Sequence, residues 1–341
     1  MAGARRFICA LMLALAGCGG DAASPAGPVT VAAPMALQPV PEATAAPIAP
    51  ALPVSLNRPL PSPWRGLTVD SVANLPAVAG AVGAHHAVPM VRVVMDPGTQ
   101  PADYARAITA LRPRAYVMAE LIDSAAMRGT SLSAVRRRAH AFAGAFAGQV
   151  DLWEIGNELN GEWVGRNPDE INAKVQAAFD EVAAIHGRTA ITLNYWSGPD
   201  CYAKAWEPTL VYARTMPPAL RSRIDVVMLS IYETACNPAQ HPGAAQVGAM
   251  LARLGVLFPT AKLAIGEVGA QRVADGLLAD PTLANKQRVA RTYYGMHATL
   301  SARLGARFVG GYFWWYYVQD AVPRTRAQSL WPTLDALISG L

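Results

Sequence analysis

The sequence predicts an α/β fold of the (β/α)8 TIM-barrel class over residues 63–341. From Trp64 onward, short β-rich runs alternate with alanine-rich or amphipathic helical runs, a pattern typical of parallel βα units. Eight such repeats in about 280 residues suit a barrel, which typically needs roughly 250. The composition, 52% hydrophobic and 16% charged, is sufficient to bury a large core.

The predicted strands are short apolar runs, rich in β-branched or aromatic residues, and each ends near a polar residue, a glycine or a proline. They cover residues 66–70, 90–96, 115–122, 152–157, 190–195, 226–232, 262–267 and 308–315. The helical runs cover residues 75–83, 102–111, 132–146, 168–186, 208–221, 244–257, 284–304 and 331–338. A doubly wound open sheet is the alternative architecture. The first strand lacks a glycine-rich dinucleotide fingerprint, which favours the barrel.

The N-terminus has the organisation of an export signal. Two arginines precede an apolar run over residues 7–15, which is shorter than the roughly 18 residues that a membrane span needs. The tetrad Leu15-Ala16-Gly17-Cys18 resembles the lipobox of bacterial lipoproteins, in which cleavage precedes a cysteine that is then acylated. We therefore expect residues 1–17 to be a lipoprotein signal peptide and Cys18 to carry lipid. An ordinary signal peptide with an incidental cysteine is the alternative.

Residues 18–62 are rich in proline and alanine, with ten of the chain's 27 prolines and no periodic apolar face. This composition predicts a disordered, semi-rigid linker. The expected localisation is the cell envelope, with a lipid anchor in the membrane and the barrel held off its surface. Gly19 rather than an aspartate follows Cys18, which predicts sorting to an outer membrane, facing either the periplasm or the outside.

Charge and histidine spacing bear on the other partners. Without residues 1–17 the chain has 27 basic and 24 acidic residues, and a net charge of +3 does not favour nucleic acid. The six histidines show no metal-ligand spacing, so we predict no metal and no cofactor. We expect the protein to be a monomer.

Two cysteines lie within the predicted barrel. Cys201 follows the fifth predicted strand and Cys236 follows the sixth, and neighbouring barrel loops bring such residues close together. In an oxidising compartment this placement predicts a disulfide between them. Two free buried thiols are the alternative.

Glutamates stand at the ends of several predicted strands. Glu158 follows the fourth strand and Glu267 ends the seventh, about 110 residues later, at the barrel end where such enzymes keep their chemistry. Two carboxyls so placed are what retaining glycoside hydrolysis requires. Arg92 lies in an otherwise apolar strand and is costly to bury alone, so it predicts Glu154 or Glu267 as its partner. Glu120 ends the third strand, where it could contact substrate or pack.

Four segments together resemble the clan A glycoside hydrolases, and the resemblance covers residues 64–341. The segments are Trp153-Glu154-Ile155-Gly156-Asn157-Glu158, Ser230-Ile231-Tyr232, Ile265-Gly266-Glu267 and Gly311-Tyr312-Phe313-Trp314-Trp315. The resemblance implies that Glu158 is the general acid/base, that Glu267 is the nucleophile and that Asn157 holds the 2-hydroxyl of the sugar.

The same resemblance implies the substrate-binding residues around this pair. Arg92 and Tyr232 match positions that hydrogen-bond the nucleophile, and Trp314 matches the aromatic floor under the reacting sugar. Trp315 matches that spacing equally well. A histidine often precedes the tyrosine by two positions in this clan, whereas this chain has Ser230 there.

These residues predict a retaining glycoside hydrolase that cleaves O-glycosidic bonds of a polysaccharide or oligosaccharide by double displacement at the cell envelope. A non-catalytic, carbohydrate-binding barrel lipoprotein is the alternative, and Ser230 is the departure that motivates it. The sugar, the linkage and the choice of internal or terminal cleavage depend on loops, which a single sequence does not define.

Overall fold

The computed structural model describes residues 58–274 and 277–341. Eight strands are parallel and close into a barrel, in which each strand pairs with its neighbours along the chain and the first pairs with the last. These barrel strands are β1 (Trp64–Val69), β2 (Met90–Val94), β3 (Tyr116–Glu120), β4 (Leu152–Gly156), β5 (Thr189–Asn194), β6 (Val226–Ile231), β7 (Lys262–Val268) and β10 (Phe308–Trp314). The predicted (β/α)8 fold is confirmed.

One or two helices follow each barrel strand along the chain. They are α1 (Leu75–Gly83), α2 (Pro101–Leu111), α3 (Ser124–Met127), α4 (Leu132–Phe146), α5 (Pro168–Ala184), α6 (Thr209–Thr215), α7 (Pro218–Arg221), α8 (Ala244–Leu257), α9 (Leu283–Tyr294), α10 (His297–Leu304), α11 (Tyr317–Ala321) and α12 (Trp331–Ser339). After β7 the chain forms a small antiparallel pair, β8 (Arg272–Ala274) and β9 (Leu277–Ala279). No helix of the described residues is long and apolar enough to cross a membrane.

Two predicted helices are each divided in the structure. The run over 208–221 forms α6 and α7 because Pro217 precedes α7 and Pro218 begins it, and a proline cannot donate the backbone hydrogen bond that continues a helix. The run over 284–304 forms α9 and α10, with Gly295 at the end of the first. The short helices α3 and α11 and the β8–β9 pair have no counterpart in the predicted elements.

The barrel separates two apolar clusters. Inward-pointing side chains, many of them from the first half of a strand, such as Met90, Leu152 and Val226, fill the barrel interior. Side chains of the opposite parity pack between the strands and the helices. Toward the C-terminal strand ends, the inward positions change from apolar to polar, as with Leu152 followed by Glu154 on β4. The polar side chains at the C-terminal strand ends therefore lie on a layer of packed apolar side chains.

The packed unit begins earlier than the predicted boundary at residue 63. Arg58 is 3% exposed, and its Nε and Nη2 donate to the two carboxylate oxygens of Asp151 at 2.7 and 2.6 Å. Asp151 immediately precedes β4, so this ion pair lies at the N-terminal end of the barrel. The end of the predicted 18–62 linker is therefore corrected: residues 58–62 belong with the barrel. The predicted signal peptide, Cys18 and the rest of the linker lie outside the described residues.

The predicted disulfide is confirmed. Cys201 and Cys236 are joined, with an S–S distance of 2.02 Å and a sequence separation of 35 residues. Cys201 ends a 3-10 turn after β5, and Cys236 follows a 3-10 turn after β6. The bond links two neighbouring loops on the side of the barrel where the strands end.

We expect replacement of both cysteines by serine to destabilise the protein by roughly 3–4 kcal/mol, because the bond removes loop-closure entropy from the unfolded chain. The midpoint of urea unfolding measures this loss. Reductant should lower the midpoint of the wild type and leave that of the double variant unchanged. Equal midpoints of the wild type with and without reductant would contradict the expected stabilisation.

Candidate active site

Glu158 stands just beyond β4 in a tight turn. Its φ of +50° lies in the left-handed region, which is uncommon for a residue other than glycine and is found where surrounding contacts hold a strained backbone in place. Those contacts are the amide of Gly161, which donates to the Glu158 carbonyl at 2.8 Å, and the amide of Leu159, which donates to the Thr192 carbonyl at 3.1 Å. The turn thereby sets the direction of the Glu158 side chain.

Two serine hydroxyls hold the Glu158 carboxyl, one at each oxygen. Ser230 on β6 donates to Oε1 at 2.8 Å, and Ser124, the first residue of α3, donates to Oε2 at 3.2 Å. Ser124 accepts in turn from the indole N–H of Trp163 at 3.1 Å. Ser230, the departure from the clan pattern, is thus a direct partner of the residue predicted to be the acid/base.

Burial and a neighbouring charge make Glu158 a weak acid. Burial is the main cause and repulsion from Glu267 is the second, and together they raise the pKa of Glu158 to about 8. The hydrogen bond from Ser230 acts in the opposite direction and lowers the pKa. Glu158 is therefore protonated at neutral pH and can donate a proton to a bound group.

Glu267 is in a different environment. Its Oε1 accepts from the Tyr232 hydroxyl at 2.7 Å, and its Oε2 accepts from Nη1 of Arg92 at 2.5 Å. The bond from the guanidinium is charge-assisted, and the two bonds together fix the orientation of the Glu267 carboxyl group. Burial, with a further contribution from Glu267, raises the pKa of Tyr232 well above its usual value, so its hydroxyl remains a donor.

The order of residues on β6 brings these two carboxyls together. Ser230 and Tyr232 are two positions apart, so they point to the same side, with Cα atoms roughly 7 Å apart at the usual rise of a strand. Ser230 binds Glu158 and Tyr232 binds Glu267. Glu158 and Glu267 therefore lie side by side at the C-terminal end of the barrel.

Arg92 also forms two hydrogen bonds with Glu154. Nε and Nη2 of Arg92 donate to the two oxygens of Glu154 at 2.6 and 2.9 Å, and the Thr192 hydroxyl donates to the same carboxylate. Arg92, Glu154 and Thr192 are all fully buried. Arg92 was predicted to pair with Glu154 or Glu267, and in the structure it binds both.

Asn157 and Trp315 border this pair. Asn157 is 2% exposed, and its Oδ1 has no hydrogen-bond partner among the described residues, so a buried acceptor remains free to bind a donor of a ligand. Trp315 is half-buried, and its ring centroid lies 5.3 Å from the Arg92 guanidinium carbon. Trp315 therefore presents an aromatic surface next to Glu267, which Arg92 also contacts.

Trp314 does not take the place that the sequence predicted for it. Its side chain is fully buried in the apolar layer between barrel and helices, and its indole N–H donates to Asp320 at 2.8 Å. A ring in that layer cannot lie under a sugar in the barrel mouth. We correct the prediction accordingly: Trp315, the alternative by spacing, is the tryptophan at the site.

Two site residues have no counterpart in the sequence predictions. Thr192 stands at an inward position of β5, two residues after Ala190 of the barrel interior, so strand parity could have indicated it. Ser124 lies in a short loop helix with no motif around it. Among the described residues, no group of three or more His, Cys, Asp or Glu side chains has an arrangement that could hold a metal ion.

No family model matches this sequence, and the comparison with curated proteins found no match. Solved structures are similar in fold. A thermostable mutant of xylanase Xyn10A from Cellvibrio japonicus superposes with a TM-score of 0.52 at 15% identity, over 82% of this chain and 98% of its own. A glucosidase from Croceicoccus marinus gives 0.52 at 13% identity, over 85% and 69% of the two chains.

The virulence factor SghA, solved with its substrate analog salicin, gives a TM-score of 0.52 at 13% identity, over 79% of this chain and 84% of its own. At these identities the similarity shows the barrel fold alone. The predicted resemblance to barrel glycoside hydrolases is confirmed at that level.

Proposed function

We propose that the protein is a retaining glycoside hydrolase in which Glu158 is the general acid/base and Glu267 is the nucleophile. The observation that carries this proposal is the contrast between two neighbouring glutamates. Burial and repulsion keep Glu158 protonated, whereas Glu267 accepts hydrogen bonds from the Arg92 guanidinium and the Tyr232 hydroxyl. One acid and one ionised carboxylate at a glycosidic bond are the requirements of this reaction.

The reaction then proceeds in two displacements. A Glu267 oxygen attacks the anomeric carbon while the glycosidic C–O bond breaks, and the proton of Glu158 goes to the departing oxygen. Glu158, now a carboxylate, takes a proton from water. That water attacks the anomeric carbon and breaks its bond to Glu267, which returns both glutamates to their starting states.

The surrounding residues support a sugar in this position. The free Oδ1 of Asn157 can accept from the 2-hydroxyl, and Trp315 offers a ring for stacking under the sugar. The pKa of Asp123, just beyond β3, is raised first by burial and then by the charge of Glu267, so a further carboxyl lies near the site. Arg92 is already engaged by two carboxylates. We therefore propose an uncharged rather than a uronic sugar at the cleavage point.

The proposal includes the location of the reaction at the cell envelope, with the chain anchored by lipid on Cys18. The signal-like N-terminus and the lipobox-like tetrad support it. Incorporation of labelled palmitate into the full chain, abolished in Cys18→Ala, would be the expected result. Labelling that persists in this variant would contradict an anchor at Cys18.

Trapping of the nucleophile tests the proposed chemistry. The protein is incubated with activated 2-fluoro sugars of the gluco, manno, galacto and xylo series, and the modified peptide is located by mass spectrometry. We expect one covalent adduct on Glu267, and the Glu267→Gln variant should not react. Proton NMR of early product should show the same anomeric configuration as the substrate. Binding to polysaccharides with neither adduct nor hydrolysis would instead support a non-catalytic binding protein.

The activity should depend on pH through Glu158. Because the first step needs Glu158 protonated, we expect kcat/KM to fall as the pH rises through about 8. Ser230→Ala removes a hydrogen bond that lowers the pKa of Glu158, so this alkaline limb should move to higher pH, by up to about one unit. Ser133→Ala, at an exposed serine of α4, is the matched control. A shift to lower pH in Ser230→Ala would contradict the assigned role.

A further inference from the structure

Glu120 is a buried carboxyl group that the proposed mechanism does not use. It is the last residue of β3 and is fully buried, and neither of its oxygens accepts a hydrogen bond from the described residues. Its nearest cation is Nε of Arg92, 3.0 Å from Oε2. The single N–H of that nitrogen is directed at Glu154, however, so Glu120 receives no donor from it.

Glu120 belongs to a group with more carboxyls than cations. We call Arg92, Glu120, Glu154 and Glu267 the Arg92 cluster. Its three carboxyl groups all lie within 3.0 Å of a single guanidinium, and each of the four residues is at most 3% exposed. A buried carboxylate without donors costs several kcal/mol, so such a group binds a proton instead. The Arg92 cluster therefore holds at least one proton.

The hydrogen bonds identify which carboxyl carries that proton. Glu154 accepts two bonds from Arg92 and one from Thr192, all of which favour its ionised form. Glu120 accepts none and lies opposite Glu154 in the β3–β4 register, roughly 5 Å away at the usual strand spacing. An ionised Glu120 would thus face a like charge with nothing to stabilise it. In agreement, burial raises the pKa of Glu120 well above its usual value.

We propose that Glu120 carries a proton throughout the catalytic cycle and acts as a positioning residue for the nucleophile. With Glu120 neutral, the single positive charge of Arg92 is shared by the carboxyl groups of Glu154 and Glu267 alone. An ionised Glu120 would repel Glu267 and compete with it for Arg92. The kinetic role rests on the proposed glycosidase function, whereas the protonation of Glu120 does not.

Infrared spectroscopy tests the proton directly and needs no substrate. A protonated carboxyl group has a carbonyl stretch that a carboxylate lacks. We expect this band in the wild type to persist at pH values above the pKa of about 8 of Glu158. The difference spectrum between Glu158→Gln and Glu158→Gln/Glu120→Gln should then contain the band of Glu120. Its absence would overturn this inference and leave the proposed function untouched.

Kinetics of single variants test the positioning role. Glu120→Ala removes the neutral carboxyl group beside Arg92 and should lower kcat/KM by at least tenfold, whereas the neutral amide of Glu120→Gln, similar in size to the acid, should recover most of that loss and leave the acidic limb of the pH profile unchanged. Glu154→Gln, the matched variant on the neighbouring strand, removes a charge that Arg92 needs. It should lower kcat by at least tenfold more than Glu120→Gln does. Equal losses in Glu120→Gln and Glu154→Gln, or an infrared carbonyl band that disappears in Glu154→Gln alone, would overturn the assignment of the proton to Glu120.

Discussion

Glu267→Gln is expected to lower kcat by roughly 10⁴-fold or more, the scale seen when a catalytic nucleophile is removed. The amide keeps the size of the side chain but cannot attack the anomeric carbon, so the first displacement has no route. Folding should be preserved, since Tyr232 can still donate to the amide oxygen. Initial rates on the sugar that labels the wild type, together with circular dichroism, provide the measurement.

The control for this change is Asp169→Asn, the same carboxyl-to-amide replacement at an exposed position in the first turn of α5. Its kcat should equal that of the wild type. Retention of more than about a tenth of the activity in Glu267→Gln would contradict the nucleophile assignment.

Glycine variants distinguish the two glutamates by the products that they form with azide. In Glu267→Gly, azide can enter the space of the missing carboxylate and attack directly, giving a glycosyl azide of inverted configuration. In Glu158→Gly, the Glu267 ester still forms with an activated leaving group, and azide then displaces it with overall retention. The opposite pair of configurations would exchange the two roles.

Arg92→Met is expected to destabilise the protein by about 3–5 kcal/mol, because removing one partner of a buried ion pair leaves an uncompensated charge. Arg92 is fully buried and binds both Glu154 and Glu267, so two carboxylates would lose their cation. The free energy of urea unfolding at neutral pH measures the effect. The loss should be smaller in mildly acidic solution, where these carboxyls take up protons more readily.

The matched control is Arg253→Met, at an exposed arginine of α8. It should change the free energy of unfolding by no more than about 0.5 kcal/mol. An equal and small effect of both replacements would contradict the view that Arg92 holds the carboxyl groups in place.

The fold could be predicted because each βα repeat carries its own periodicity. Strand parity also puts Ser230 and Tyr232 on one side of the sixth strand, where they bind Glu158 and Glu267, and the predicted carboxylate partner of Arg92 is present. Sequence could not show that Arg92 binds Glu154 and Glu267 together. That outcome depends on the distances between three strands, and the amino-acid sequence alone does not give these distances.

The choice between Trp314 and Trp315 shows a second limit. The run Phe308 to Trp315 is almost wholly apolar, because this strand is covered on both faces, so no alternation of polar and apolar residues indicates which ring points inward. The strand is also irregular: Gly310, Gly311 and Tyr312 have positive φ, and its pairing with β7 shifts register. Only the three-dimensional path of the backbone decides which indole reaches the site.

Arg58 joins the chain to the end of the barrel that lies opposite Glu158 and Glu267, since its partner Asp151 precedes β4 whereas the two glutamates follow or end their strands. The chain that precedes Arg58 therefore reaches the barrel at its N-terminal end, away from the two glutamates. With the proposed anchor at Cys18, the tether and the substrate would therefore meet the barrel at opposite ends.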